Sequence, residues 1–334
     1  MSEALLSVVL PADRYATIRP VIDRLQQQTA RDKIEIVLVM PSEETGCIEQ
    51  ADLAMFASVR IATVGSSSAM GARRAAGVSQ AQADLVCLGE THSFPHPGWA
   101  EALIQASDRS RTVIVPAIGN ANPDTAASWA AFLSDYGAWF EGQTAGEIGA
   151  APTFNVVYQR SFLLGFGDRL EDVLSHSDEI AVSLRRLGHR IHFEPAARSD
   201  HLNVSTMTGY LGERFYGGRL IGASRGARWS WTRRLAYACG SPLIPLVLLW
   251  RTARGFRLAA RHSPMPAGTI PVMILGTCTK AFGECLGYVG GTGSIAGPRM
   301  NEYELHKVAF TREGKVPGME PTLQENRGAH TPGH

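Results

Sequence analysis

The chain is sparing with the features that would place it in several common classes. Its five cysteines, Cys47, Cys87, Cys239, Cys278 and Cys285, are odd in number and contain no Cys-x-x-Cys pair. That argues against a disulfide framework or a zinc site and for reduced thiols in a cytosolic setting. Neither sign of charge is in excess, since 32 Lys and Arg face 31 Asp and Glu for a net charge of +1, so a nucleic-acid partner has no global electrostatic support. The start, Met1-Ser2-Glu3-Ala4, lacks the basic region of a signal peptide, and the catalytic part is expected in the cytoplasm. No Gly-x-Gly-x-x-Gly follows a strand, which leaves a dinucleotide-dependent oxidoreductase a distant option. There is no internal repeat.

What is present is an alternation of short apolar runs with helical patterns over residues 5–116, which predicts a doubly wound α/β sheet. Leu5 to Leu10, Ile34 to Met40, Val59 to Val64 and Leu85 to Leu88 read as strands buried on both faces. Between the first two, Ile18, Val21, Ile22 and Leu25 fall at helical spacing. Ligands in such sheets sit at the carboxyl ends of the strands. Leu85 to Leu88 runs into Gly89-Glu90-Thr91-His92, where a carboxylate and an imidazole one residue apart can turn to the same side and hold a divalent ion. On spacing alone, a solvated loop with incidental His92 and His96 is the favoured alternative.

Several segments together resemble family 2 glycosyltransferases of the GT-A fold. Glu90-Thr91-His92 followed by Pro95-His96-Pro97-Gly98-Trp99 is similar to that family's Asp-x-Asp element and the Pro-x-Pro-Gly-Trp turn after it. Gly71-Ala72-Arg73-Arg74-Ala75-Ala76-Gly77 resembles its Ala-Arg-Asn-x-Gly helix start, and Pro152 to Ser161 resembles its acceptor-side strand. Gly165-Phe166-Gly167-Asp168-Arg169-Leu170 follows as the Gly-Gly-Phe-Asp-x-x-Leu loop does in relatives. The resemblance spans roughly Leu5 to Asn203. It implies a GT-A type mixed sheet, a nucleotide-sugar donor and a divalent metal, Mn²⁺ or Mg²⁺, held by Glu90, His92 and His201. It places Pro11, Asp13, Glu43, Arg73 and Asn155 around the nucleotide, with Arg73 reaching the diphosphate. The catalytic base is expected at the start of a helix that ends near Gly188, as Asp178 first, Glu179 second, with His176 as a further candidate. The bland reading of those residues is an acidic first helical turn favoured by the macrodipole.

The second half has a different character. From Arg214 to Arg261 every side chain of fixed charge is an arginine, interleaved with Trp229, Trp231, Tyr237 and Trp250 around the apolar run Pro242 to Trp250. That run is shorter than the ~20 apolar residues a spanning helix requires, and suggests a segment lying in the headgroup region of an anionic membrane. Packing of these helices on the catalytic domain, or on a partner subunit of a homo- or hetero-oligomer, is an equal alternative. A second apolar segment, Ile270 to Ile295, reads as re-entrant or interfacial, with Lys280 and Glu284 one turn apart and Gly283, Gly287 and Gly291 spaced for close helix packing.

The expected organisation is therefore a GT-A catalytic domain at 1–205, a basic and apolar helical membrane-associated region at 206–298 and a flexible polar tail at 299–334. The expected activity is inverting transfer of a sugar to a lipid-linked or growing glycan acceptor in cell-surface or exopolysaccharide synthesis, at the cytoplasmic face of the membrane. The alternative from another class is a glycosyltransferase-like scaffold or binding subunit without catalysis.

Overall fold

The computed structural model describes residues 3–108, 110–176 and 179–316. Its centre is a nine-stranded mixed sheet. The strands are β1 (Leu6–Pro11), β2 (Ile34–Pro41), β3 (Ser58–Val64), β4 (Leu85–Leu88), β5 (Ser93–Pro95), β6 (Arg111–Asn120), β7 (Gly146–Glu147), β8 (Val157–Gln159) and β9 (Arg190–His201). Their order is β3-β2-β1-β4-β8-β6-β9-β5, with β7 also on β9. Strands β3, β2, β1 and β4 run parallel, β8 is antiparallel to β4 and β6, and β9 returns parallel to β6. The expected mixed α/β sheet is what the chain forms.

Every residue of β1, β2 and β4 is buried, because helices cover both faces. Helices α1 (Tyr15–Gln26), α2 (Gln50–Leu53) and α4 (Trp99–Gln105) lie with one apolar cluster that includes Leu6, Ile18, Ile36 and Trp99. On the other face, α3 (Met70–Gln80), α6 (Arg160–Leu164), α7 (Leu170–His176) and α8 (Glu179–Arg186) enclose a second cluster around Val9, Val37, Val115 and Leu174. Glu35, inside β2 and fully buried, is tolerated because Ser7, Ser58, Arg60 and the Gln82 N–H all donate to its carboxylate.

A helical layer stands on the far edge. It comprises α5 (Ala126–Asp135), α9 (Met207–Gly226), α10 (Trp231–Gly240), α11 (Ile244–His262), α12 (Thr269–Gly290) and α13 (Ala296–Leu305), with a third cluster around Trp129, Phe132, Tyr210, Met273 and Met300. Helices α9 and α12 pack backbone to backbone: a Cβ on Gly222 would lie 2.3 Å from the Glu284 carbonyl oxygen, and one on Gly287 2.3 Å from that of Arg219. Gly283 and Gly287 thus serve the close packing expected of them, whereas Gly291 ends the helix at a positive φ of 67°.

Four expectations for this half change. The helical stretch Trp231–His262 is long and apolar enough, by length and composition alone, to cross a membrane, because helix extends beyond Pro242 to Trp250 in both directions. Arg214 is not a surface residue but is buried in ion pairs with Asp135 and Glu213. Glu284 pairs with Arg225 at 3.2 Å and not with Lys280. The stretch from residue 299 is not irregular throughout: α13 extends to Leu305 and a 3₁₀ turn, Lys307–Phe310, follows. What was expected of residues 317–334 lies outside the described residues.

Candidate functional site

Three side chains meet beyond the carboxyl end of β4. Glu90, His92 and His201 are all buried and offer one ligand atom each, all within 4.8 Å of one another. The local sequence explains the convergence. Gly89 lets the chain leave β4 close beneath β1, where its N–H donates to the Val9 carbonyl at 2.9 Å and a Cβ would lie 2.7 Å from Leu10 Cδ2. β5 then pairs antiparallel with β9, setting Ser93 opposite His201, so that His92 and His201 approach from adjacent strands. Their rings meet edge to face with centroids 4.8 Å apart.

The hydrogen bonds around the three residues fix which atoms face inward. The Thr91 hydroxyl donates to the carbonyl of Glu304 (3.1 Å) or Leu305 (3.3 Å), so towards His92 Nδ1, 3.2 Å away, it acts as acceptor. His201 Nδ1 likewise faces Asn203 Oδ1 at 2.8 Å. Both assignments put the ring protons on Nδ1 and leave the Nε2 lone pairs pointing at Glu90 Oε2, at 3.6 and 3.5 Å. His92 Nε2 is buried and has no hydrogen-bond partner. On the other side, Asn155 Nδ2 donates to the Glu90 carboxylate and to Tyr136 Oη, and Tyr136 Oη donates to Glu90 Oε2 at 3.3 Å. Asn155 sits at a φ of 54°, a left-handed conformation that Asn tolerates better than most residues.

Protonation agrees with a ligand set. Burial raises the Glu90 carboxyl, but the groups facing it, among them the Arg74 guanidinium, which stays charged when both imidazoles are neutral, outweigh burial and hold it below the usual carboxylate range. Burial drives His92 well below its ordinary value, and the Lys307 ammonium adds to the effect. Burial and the Glu90 charge keep Tyr136 protonated as a donor. An ionised carboxylate beside an imidazole with an orphaned inward nitrogen is what a divalent ion requires, and two nitrogens with one oxygen suit Mn²⁺ or a softer ion better than Mg²⁺.

A cavity of about 410 Å³ opens from Glu90 and His201 towards the helical layer, and Tyr136, Phe154, Glu304 and Lys307 are among the residues that line it. Its far wall carries a chain of ion pairs that runs inward from the exposed Asp135: Asp135 with Arg214 at 2.6 Å, and then, among buried side chains, Arg214 with Glu213 at 2.9 Å and Glu213 with Lys307 at 2.8 Å. Alternating signs satisfy each charge that burial would otherwise leave exposed to a low dielectric.

The other expected site residues fall in different places. Pro11 closes β1, and Asp13 lies just beyond it, with His306 Nε2 2.9 Å from its carboxylate. Glu43 is exposed on the 3₁₀ turn after β2, apart from any contact with the cluster. Arg73 is 1 % exposed, and its guanidinium donates to the carbonyls of Ala12, Ser66 and Ser68, which ties the loop before α3 to the end of β1. Of the proposed bases, Glu179 pairs with Arg169, while Asp178 and the His176 side chain lie outside the described residues. Ala181, on the same helix as Glu179, lines the cavity.

Sequence reasoning missed Tyr136, Arg74, Glu304 and Lys307. Tyr136 and the C-terminal pair reach the site only through tertiary contacts, and no local pattern marks them. Arg74 stands beside Arg73 in the same motif, and only the helix phase distinguishes which guanidinium turns towards Glu90.

No family model and no curated protein matches the sequence. Among solved structures, S. aureus TarS superimposes with a TM-score of 0.46 at 17% identity over 65% of this chain and 39% of its own. GalNAc-T7, solved with UDP, GalNAc and Mn²⁺, does so at 0.45 and 15% identity over 59% of this chain and 43% of its own. The TarS 1–349 structure gives 0.45 at 17% identity, over 66% and 65%. This chain thus spans less than two thirds of each of these structures. Superpositions of this depth carry no argument about function, which rests on the chain's own residues.

Proposed function

We propose that the chain is a GT-A type glycosyltransferase that uses a nucleotide-diphosphate sugar as donor and a lipid-linked or growing glycan as acceptor. The observation that carries this reading is the buried Glu90–His92–His201 set at the carboxyl end of the central strand β4, opening into a cavity of acceptor size. A divalent ion there would offset the charge that develops on the leaving nucleoside diphosphate. The chain's own residues do the remaining work. Tyr136 and Asn155 hold the Glu90 carboxylate in place, and Thr91 and Asn203 hold the two imidazoles.

A base, assigned first to Asp178, takes the proton from the acceptor hydroxyl. The acceptor oxygen bonds to the anomeric carbon while the bond from that carbon to the phosphate oxygen breaks, and its electron pair leaves with the nucleoside diphosphate. Attack from the face opposite the leaving group inverts the anomeric centre.

The reading extends to a membrane surface at the cytoplasmic face and to cell-surface or exopolysaccharide synthesis. It is supported by the outer side of α10 and α11, where Leu243, Leu246, Val247 and Trp250 are exposed, Trp250 at 79%. The exposed Arg228, Arg233, Arg251, Arg254 and Arg257 flank them, with no acidic residue between. An apolar strip bordered by arginines matches an anionic bilayer interface.

Calorimetric titration with UDP and GDP, first with Mn²⁺ and then with EDTA, tests the donor site. Binding that needs the metal and is lost in Glu90→Ala/His92→Ala is expected. Absence of binding to both nucleotides under either condition would remove the catalytic reading and leave the scaffold alternative.

A further inference from the structure

Beside the Glu90–His92–His201 set lies a second charged group with no role in the reading above. Arg74 is 2% exposed, and its guanidinium carbon stands 3.3 Å from the centroid of the Phe154 ring. A buried guanidinium is ordinarily saturated by acceptors, because desolvation is costly unless the donors are used. Here Nε and Nη2 have no hydrogen-bond partner. The carboxylate within ion-pair distance is that of Glu304, with Oε2 at 3.5 Å from Nη2, and that oxygen too is buried without a hydrogen bond. The pair is in charge contact, yet neither partner is satisfied.

Glu304 belongs to a strap that crosses the expected donor side of the site. Over four consecutive residues it is anchored to four separate elements. Glu304 faces Arg74 on α3, and the carbonyls of Glu304 and Leu305 accept from Thr91, which lies between Glu90 and His92. His306 reaches Asp13 beyond β1, and Lys307 reaches Glu213 on α9. Arg74 is thus covered by this strap rather than by the sheet. Its neighbour Arg73, by contrast, donates from Nε, Nη1 and Nη2 to three backbone carbonyls.

We propose that Arg74 is a diphosphate-binding residue of the donor site, and that Glu304 holds its place in the free protein until a donor's diphosphate exchanges with the strap. This rests on the glycosyltransferase reading and names a residue and a gating step within it. The chemistry favours the exchange. A planar guanidinium fixed against an aromatic ring offers a fork of donors matched to phosphate oxygens. A diphosphate brings more charge and more acceptors than one carboxylate that makes no hydrogen bond to the fork. Displacing Glu304 also frees Thr91 and Asp13, the two contacts nearest the metal ligands and the end of β1.

The test uses the full chain, Mn²⁺ and inorganic pyrophosphate as the probe, with calorimetry and hydrogen exchange on each variant. Glu304→Gln removes the competing charge and should bind pyrophosphate about tenfold or more tightly than wild type, whereas Arg74→Lys, which keeps the charge but loses the fork, should bind it about tenfold more weakly. Exchange at residues 304–310 should accelerate when pyrophosphate binds. Metal-dependent binding that is equal in wild type and Glu304→Gln, or that leaves exchange at 304–310 unchanged, overturns the inference while the proposed function stands. Absence of metal-dependent binding of pyrophosphate and nucleotide to wild type and Glu304→Gln alike removes the proposed function itself, and this inference with it.

Discussion

The sheet and the helical layer bury charge in opposite ways. In and against the sheet, two interior charges are satisfied mostly by the main chain and small hydroxyls: Arg73, on α3, donates to three carbonyls, and Glu35, on β2, accepts from Ser7, Ser58 and a backbone N–H as well as from Arg60. In the helical layer, charges satisfy one another in the chain Asp135–Arg214–Glu213–Lys307, and large apolar side chains on α10, α11 and α12 face outward. The first arrangement keeps most of its bonds when one member is lost, because most of the remaining partners are neutral groups. The second leaves the buried Lys307 uncompensated when Glu213 is removed. The cavity lies where the two meet, with Glu90 and His201 from the sheet and Lys307 and Glu304 from the helical side.

The largest expected effect comes from breaking the helical network. Glu213→Leu leaves the buried Lys307 ammonium without its ion-pair partner and should cost about 3–5 kcal/mol in a denaturant titration. A loss below about 1 kcal/mol would mean that the network is not the main stabiliser of that layer. Next in size is the outer surface of the helices. Sedimentation with anionic vesicles should carry down the wild-type chain, and Leu246→Ser/Trp250→Ser should lower partitioning by about tenfold or more, with added salt weakening both. Equal partitioning of the two proteins would assign those side chains to a protein partner instead.

The smallest effect tests the sheet. Burial raises the Glu35 carboxyl, but the bonds from Ser7, the Gln82 N–H, Arg60 and Ser58 outweigh it and hold the group below its ordinary value of 4.5. A depressed folded-state value contributes stability that is fully present above the unfolded value and is lost as pH falls through the folded one. Glu35→Gln should therefore cost about 1–2 kcal/mol at neutral pH and flatten the decline of stability below about pH 4.5. An unchanged acid limb would show that the carboxylate contributes nothing there.

How much of this was legible in the sequence follows the same division. The apolar runs of β1, β2 and β4 announce themselves, since strands covered on both faces need no alternation, and helix α1 shows its 3.6-residue period. The Glu90–His92 pair is readable because both ligands leave one strand end, and His201 because a resemblance places it. Other parts are set by tertiary contact. Arg73 and Arg74 are chemically identical in the chain and diverge only when α3 packs. Arg214 sits in a run of arginines that reads as surface, yet two acidic partners draw it inside. The segment from Tyr303 to Phe310 falls in the stretch that reads as a tail, but Lys307 and Thr91 supply long-range bonds that local pattern cannot foresee.

The account stands on one claim, that Glu90, His92 and His201 together hold a divalent ion. Electron paramagnetic resonance of Mn²⁺ titrated with the purified chain measures it directly. One equivalent of wild-type protein should quench the signal of the free aqueous ion, and His201→Ala, folded as judged by circular dichroism, should restore most of it, since losing one of three ligands weakens binding by at least the ~10–100-fold that a supporting residue costs. A free-ion signal that persists undiminished with folded wild-type protein would contradict the metal site and the donor chemistry built on it.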